Sequence, residues 1–479
     1  MSPLIKNTFY STITNALQSL ANVLVVVLLA RPLGTAEFGR LMLAISFTAI
    51  FAIIVEYGFR WYATKEVSQR PETARRVAGE IFNAQLLLAL AATLLAFTAA
   101  LLLGYPPRTL AIVGIVWVST VLMAFTQVTR AVFRGLDMFP SDTALNLVLF
   151  AAIALALVPP LLFLPTAIAF ATAILGARTV YFAAGQSLFK KKVGPMDFHF
   201  SAPRGGRLLT GTIAYGTQIM ISRLMLEWNT IVLHQYRGNV GVGLYQAAFR
   251  FVLGTMMVGD ILLQAFFPLI AQLATSDRRR FIKTTTVMNR YLLSAGAYLT
   301  GAFFVFAPEL VHLIFGASYT PAVPVLRILA FAVMATFLSS APAIALIALG
   351  KQGARARASV LVLVFNAICA FILIPAYGAQ GAAVSMVATF MLLALFYFYF
   401  TFKTVKSIFF DRRALYAGLL ALGGSAAAWQ WKRISLLLGV GAYAALGALL
   451  FLTATTGEEK KEMLRALRFP FAPAPEIEP

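Results

Sequence analysis

The sequence predicts an all-α polytopic membrane protein of about fourteen transmembrane helices: two six-helix lobes related by a pseudo-two-fold along the membrane normal, plus two C-terminal helices. Three observations predict it. Of the 479 residues, 60% are hydrophobic and 12% charged, with a mean hydropathy of +0.83. A soluble domain carries about 25% charged residues. Apolar runs of span length recur along the chain, separated by short basic loops. A glycine pattern between the first two runs returns 204 residues later.

Each span needs about 20 mostly apolar residues. Such runs fall at 10–30, 41–60, 81–103, 110–129, 143–164, 166–188, 209–232, 242–270, 291–313, 323–349, 358–375, 379–402, 414–430 and 434–454. The first run ends at "ARPLG" rather than at a small-residue cleavage site, which reads as a retained span. With the N-terminus inside, inward-facing segments hold about 29 of the 39 basic residues and outward-facing ones about six. That bias predicts both termini on the cytoplasmic face of the cell (inner or plasma) membrane. The implied units are an N-lobe over 1–208, a C-lobe over 209–410, two extra helices over 411–456 and a cytoplasmic tail over 457–479. In that tail, "EEKKEMLRALRFPFAPAPEIEP" reads as a short interfacial amphipathic helix with a proline-rich end.

The same distribution accounts for the net charge of +21. It is dispersed over loops rather than gathered on one face, so no nucleic-acid partner is expected. The lone Cys369 excludes an internal disulfide, and His199, His234 and His312 lack ligand spacing, so neither metal nor cofactor is expected. No phosphate-cradling G-x-x-x-x-G-K-[ST] occurs, and no outer loop is large enough to hold a catalytic site. The reading is a transporter rather than an enzyme.

The returning pattern is "LLARPLGTAEFGRL" at 28–41. A shift of 204 residues places Gly34 on Gly238, Gly39 on Gly243, Ala44 on Ala248, Phe47 on Phe251 and Glu56 on Asp260. Glycine tolerates φ > 0 where a chain must reverse within a few residues. Each copy joins the first two helices of a six-helix set. An even span count per set inserts both sets the same way up, with a substrate site between them near the midplane.

Three stretches resemble the polysaccharide, or O-antigen, flippase family of the multidrug/oligosaccharidyl-lipid/polysaccharide exporter superfamily. They are "NTFYSTITNALQSLANVLVVVLLARPLGTAEFGRL", "LIFGASYTPAVPVLRILA" at 313–330, and "ALIALGKQGARARASVLVLVFNAICAFILIPAYGAQGAAVSMV". The likeness runs over residues 1–410. It implies two six-helix lobes around a cavity that opens alternately to either side. It also implies transfer of polyprenyl-(pyro)phosphate-linked oligosaccharide from the cytoplasmic to the outer leaflet, for cell-surface polysaccharide synthesis. Membrane lipids, H⁺ or Na⁺ for coupling, and polysaccharide-assembly proteins are the implied partners. The alternatives are a cation-coupled multidrug antiporter of the related extrusion family, a membrane glycosyltransferase or ligase, and a catalytically silent scaffold.

Charged residues at membrane depth are costly and tend to face a bundle interior or wet cavity. The expected cavity cations are Arg250, Arg223, Arg178 and Arg327, since a guanidinium fork suits a pyrophosphate. Against the first of these stands no sequence-local partner, whereas Arg223 and Glu227 are spaced to pair, as are Glu56 and Arg60. Arg327 lies near the outer surface, where it can snorkel. Polar candidates are Asn15, Gln18, Ser19 and Asn22 in the first span, and Gln218, Ser222 and Asn229 in the seventh. Interhelical hydrogen bonding is their competing role. Glu56, Glu227 and Asp260 are the coupling-ion candidates.

Overall fold

The computed structural model describes residues 3–198, 202–407, 409 and 411–454. Only the backbone is described for 3–25, for parts of 202–219 and 257–268, and at a few isolated positions. The tail reading at 457–479 lies outside the described residues. Among those residues the secondary structure is helical throughout: α1 (Pro3–Glu56), α2 (Phe59–Gln69), α3 (Ala74–Leu102), α4 (Pro107–Gly135), α5 (Phe139–Leu162), α6 (Ala167–Lys192), α7 (Ala202–Ser276), α8 (Arg278–Val305), α9 (Ala307–Phe315), α10 (Val323–Ala348), α11 (Gln352–Val405), α12 (Arg412–Ile434) and α13 (Leu436–Ala454). Seven helical segments are long and apolar enough to cross a membrane, or eight if the bent α8–α9 pair is one span.

The sequence places gaps of several residues inside α1, α7 and α11. The structure instead keeps helix up to a single glycine in each: Gly34 (φ 66°, ψ 174°), Gly238 (φ 61°, ψ −163°) and Gly378 (φ 57°, ψ −129°). A Cβ is strained at such φ values, and one glycine redirects the chain without a loop. A second difference falls at 291–313, where one span is expected. There α8 ends at Val305 and α9 restarts at Ala307, bent by 76°. Pro308, lacking an N–H, sits in the first turn of α9 and cannot continue α8. Elsewhere the helix starts follow ordinary capping: Thr166, Asp277 and Asp411 accept from Ala169 N (3.3 Å), Arg280 N (2.9 Å) and Ala414 N (2.8 Å).

Among the described residues, the most extensive helix–helix interface joins α1 to α7. Two glycines set its approach at the end carrying Gly34 and Gly238. A Cβ on Gly39 would fall 1.8 Å from the Asn239 carbonyl oxygen, and one on Gly243 would fall 2.1 Å from that of Thr35. Deeper in, Gln246 Nε2 donates to Ser46 Oγ (3.2 Å) and Arg250 Nη2 reaches Met42 Sδ (3.2 Å). The 204-residue shift carries Thr35, Gly39, Met42 and Ser46 onto Asn239, Gly243, Gln246 and Arg250. Each contact thus has its reciprocal across the seam.

Candidate functional site

Beyond this seam the two halves part around a cavity of about 930 Å³. One wall comes from α1, α3, α4, α5 and α6, the other from α7, α10 and α11. Val26 and Arg250 are among the lining residues nearest the sealed turns. They lie about 12 and 18 Å along their helices from Gly34 and Gly238, at 1.5 Å per residue. Glu56, Gly58 and Arg60, where α1 gives way to α2, line its far end.

The Gly34 end is sealed by contacts between the halves. Arg31 Nε donates to Ile314 O (3.0 Å), and Arg31 Nη2 donates to His312 O (3.3 Å) and Leu313 O, the carbonyls that end α9. Cations suit a helix C-terminus, where carbonyls lack partners. Tyr319 Oη donates to Ala30 O (2.8 Å), and its ring meets Phe38 edge-on at 6.0 Å. At the opposite end Arg60 and Arg223 are exposed. Among the described residues, the cavity therefore reaches the surface at the Arg60 end.

Its charge is one-sided. Among the described residues, Arg60, Arg178, Arg223, Arg250 and Arg355 line it, against the single acid Glu56. Arg178 Nη1 donates to Ser119 Oγ (3.1 Å) and Arg250 Nη2 to Gln246 Oε1 (2.9 Å). Arg250 Nε and Arg355 Nε are buried with no partner. None of the five is in an ion pair among the described residues, and the spacings Arg223–Glu227 and Glu56–Arg60 do not produce one. A guanidinium does not deprotonate in proteins and only donates hydrogen bonds. The cavity can therefore hold an anion rich in acceptor oxygens.

Of the residues expected from sequence, Arg178, Arg223, Arg250, Ser222 and Glu56 line the cavity. Arg327 does not, and its guanidinium lies over Trp429 (4.9 Å) and Phe304 (5.9 Å). The reason is angular. Thr336, which does line the cavity, is nine residues on. At 100° per residue that is about half a turn out of phase, so Arg327 is on the opposite face of α10. Asn229 is also outside the lining, buried and donating to Ala382 O (3.3 Å). Glu227 is half-buried and outside it too. The side chains of Asn15, Gln18, Ser19, Asn22, Gln218 and Asp260 lie outside the described residues. Gly34, Gly39, Gly238 and Gly243 sit at the sealed turns.

Sequence reasoning missed Arg60 and Arg355, which it counted as loop charges, and Gln85, Gln127 and Ser119. It also missed Thr336, Ser339 and Ser340 of α10. Their i, i+3, i+4 spacing within an otherwise apolar helix was the available signal.

A many-helix bundle of apolar segments around one basic internal cavity defines a multi-pass membrane protein. Residues 4–274, more than half the chain, match the profile of the polysaccharide biosynthesis protein family, and the chain belongs to that family. A probable low-salt glycan biosynthesis flippase, Agl15 of Haloferax volcanii, is 31% identical over 152 residues, which is 31% of this chain and 32% of that protein. The chain thus matches about a third of that relative's length. The fold is shared with the lipid II flippase MurJ in an inward closed conformation, at a TM-score of 0.73 and 15% identity, covering 93% of this chain and 99% of that one. It is shared as well with an inward-facing multidrug resistance MATE family transporter, at a TM-score of 0.67 and 15% identity, covering 82% of this chain and 95% of that one.

Proposed function

We propose that the chain is a flippase, moving a polyprenyl-(pyro)phosphate-linked oligosaccharide from the cytoplasmic to the outer leaflet of the cell membrane for surface polysaccharide synthesis. The observation that carries this reading is the cavity between the halves, lined among the described residues by five arginines against one glutamate. A pyrophosphate offers only acceptors, and guanidinium forks supply donors without acceptors. The polyprenyl tail stays in lipid. A cationic drug would meet like charge, which sets the antiporter reading behind this one. The protein acts as a transporter, with no chemical step assigned to it.

The finer architecture follows. Two spans each from α1, α7 and α11, one from α8–α9, and one each from α3, α4, α5, α6, α10, α12 and α13 make about fourteen. The even count and the basic-loop bias favour both termini in the cytoplasm. The lobes are 1–208 and 209–410, and 411–456 stands outside the repeat. The reciprocal contacts of Gly39 and Gly243 are the kind a pseudo-two-fold generates. Rocking about that axis would part the seam and close the Arg60 end. Glu56, Glu227 and Asp260 remain the carboxylates through which H⁺ or Na⁺ would couple.

The test is reconstitution in vesicles with a fluorescent polyprenyl-pyrophosphate sugar, read by quencher accessibility. Wild type translocates it, and Arg223→Ala and Arg250→Ala slow it at least tenfold at normal expression. Full speed in both variants, or no transfer by wild type, overturns the reading.

A further inference from the structure

The arginines account for the anionic part of such a substrate and leave its neutral part without a subsite, because a guanidinium accepts no hydrogen bond. Sugars bring donors as well as acceptors. Four hydroxyls on the second-half wall have the complementary chemistry. Thr336, Ser339 and Ser340 of α10 and Ser359 of α11 all line the cavity. Three donate to a carbonyl of their own helix: Thr336 Oγ1 to Val333 O (2.8 Å), Ser339 Oγ to Thr336 O (2.9 Å) and Ser340 Oγ to Thr336 O (2.8 Å). Ser359 Oγ lies 3.1 Å from Arg355 O and 3.3 Å from Tyr397 Oη, and either hydroxyl of that pair can be the donor. With the proton spent, a hydroxyl offers lone pairs only. The α10 hydroxyls therefore meet a ligand as acceptors.

Depth agrees. The start of α10 lies at the sealed end, since Tyr319, just before it, bonds Ala30 near Gly34. Thr336 is then about 20 Å down α10, close to the 18 Å of Arg250 down α7. Donors and acceptors thus occupy one level of one cavity.

We infer that Thr336, Ser339, Ser340 and Ser359 form the subsite for the sugar portion of the substrate, accepting from its O–H and N–H groups while the arginines hold its phosphate. This rests on the flippase reading. It also adds a specificity element, because a site built to pair polar groups rejects ligands that leave them unpaired.

The experiment measures binding to the full-length purified protein of two probes: a polyprenyl pyrophosphate without sugar, and the same lipid bearing a disaccharide. In the triple variant Thr336→Val, Ser339→Ala, Ser340→Ala, affinity for the glycosylated probe falls about tenfold or more, three neutral hydrogen bonds being lost. Affinity for the sugar-free probe stays within about twofold of wild type. Ser340→Thr, which keeps the acceptor, binds both probes as wild type does. Arg250→Ala weakens both. The inference is overturned if the triple variant weakens both probes equally or neither. Failure of wild type to bind either probe would instead remove the flippase reading, and this subsite with it.

Discussion

Arg130 and Arg250 are both arginines within apolar helices, and they differ in what answers their charge. Arg130 on α4 is buried and grips Asp142 of α5 with both forks, Nε to Oδ1 at 2.5 Å and Nη2 to Oδ2 at 3.2 Å, and Arg134 approaches the same carboxylate at 3.8 Å. Arg290 of α8 meets Asp411 through Nη1 at 2.9 Å. Arg250 has a glutamine oxygen, a methionine sulfur and an Nε with no partner. The first kind closes its charge locally and ties helices together. The second kind has, among the described residues, no carboxylate in direct contact, with Glu227 acting on it only at longer range, and leaves donors open in a cavity for a ligand. Charge at membrane depth is therefore not in itself a mark of function; the better sign is a cavity-lining position without a direct carboxylate partner, since Arg327 also lacks one among the described residues and yet lies over Trp429 outside the cavity.

That contrast can be broken by substitution. The largest effect belongs to Asp142→Ala, which strands Arg130 without its partner. Breaking a buried pair costs about 3–5 kcal/mol, so the thermal midpoint in detergent drops sharply and folded yield falls. The protein that still folds should bind the anionic probe normally. Arg250→Ala is the converse: the thermal midpoint stays close to wild type, and affinity for polyprenyl pyrophosphate falls about tenfold or more, as for a lost charge-assisted hydrogen bond. Arg250→Lys sharpens the point by keeping the charge and losing the fork. It should recover part of the affinity, leaving a deficit of about threefold to fivefold. Raising salt from 0.15 M to 1 M shortens the screening length from about 8 to 3 Å. It should weaken anion binding in the open cavity while the stability owed to Arg130–Asp142 hardly changes. The smallest effect is Glu56→Gln, which removes the one acid lining the cavity among the described residues and should raise anion affinity about twofold to threefold, a screened Coulomb term.

How far the sequence reached follows from what its spacing encodes. The turn glycines were legible because the repeat printed them twice, and positive φ at Gly34 and Gly238 is a constraint few other residues meet. What spacing could not say was that one residue suffices for the break, which left the helix ends inside α1 misplaced by several residues. Arg250 stood out because no acid lies one turn away from it. Arg327 was drawn toward the cavity by depth alone, yet rotation about α10 turns it to Trp429. The i,i+4 spacing of Arg223 and Glu227 brought them near without an ion pair, because a helix face offers proximity and side-chain rotamers decide the bond. Arg60 and Arg355 were hidden among the basic residues that set topology. Their second role depends on where α2 and α11 come to lie around the cavity, a tertiary fact. The Arg130–Asp142 pair was hidden for the same reason, as it joins two helices across a turn.

The central claim is that an anionic lipid head group sits in the basic cavity between the halves. The most direct measurement is an experimental density map of the full-length protein with bound polyprenyl-pyrophosphate disaccharide. The account predicts phosphate density within hydrogen-bonding distance of Arg250 and at least one of Arg178, Arg223 and Arg355, with the tail passing out into lipid. Density for the head group on the outer faces of the helices, with the cavity holding water alone, would contradict it.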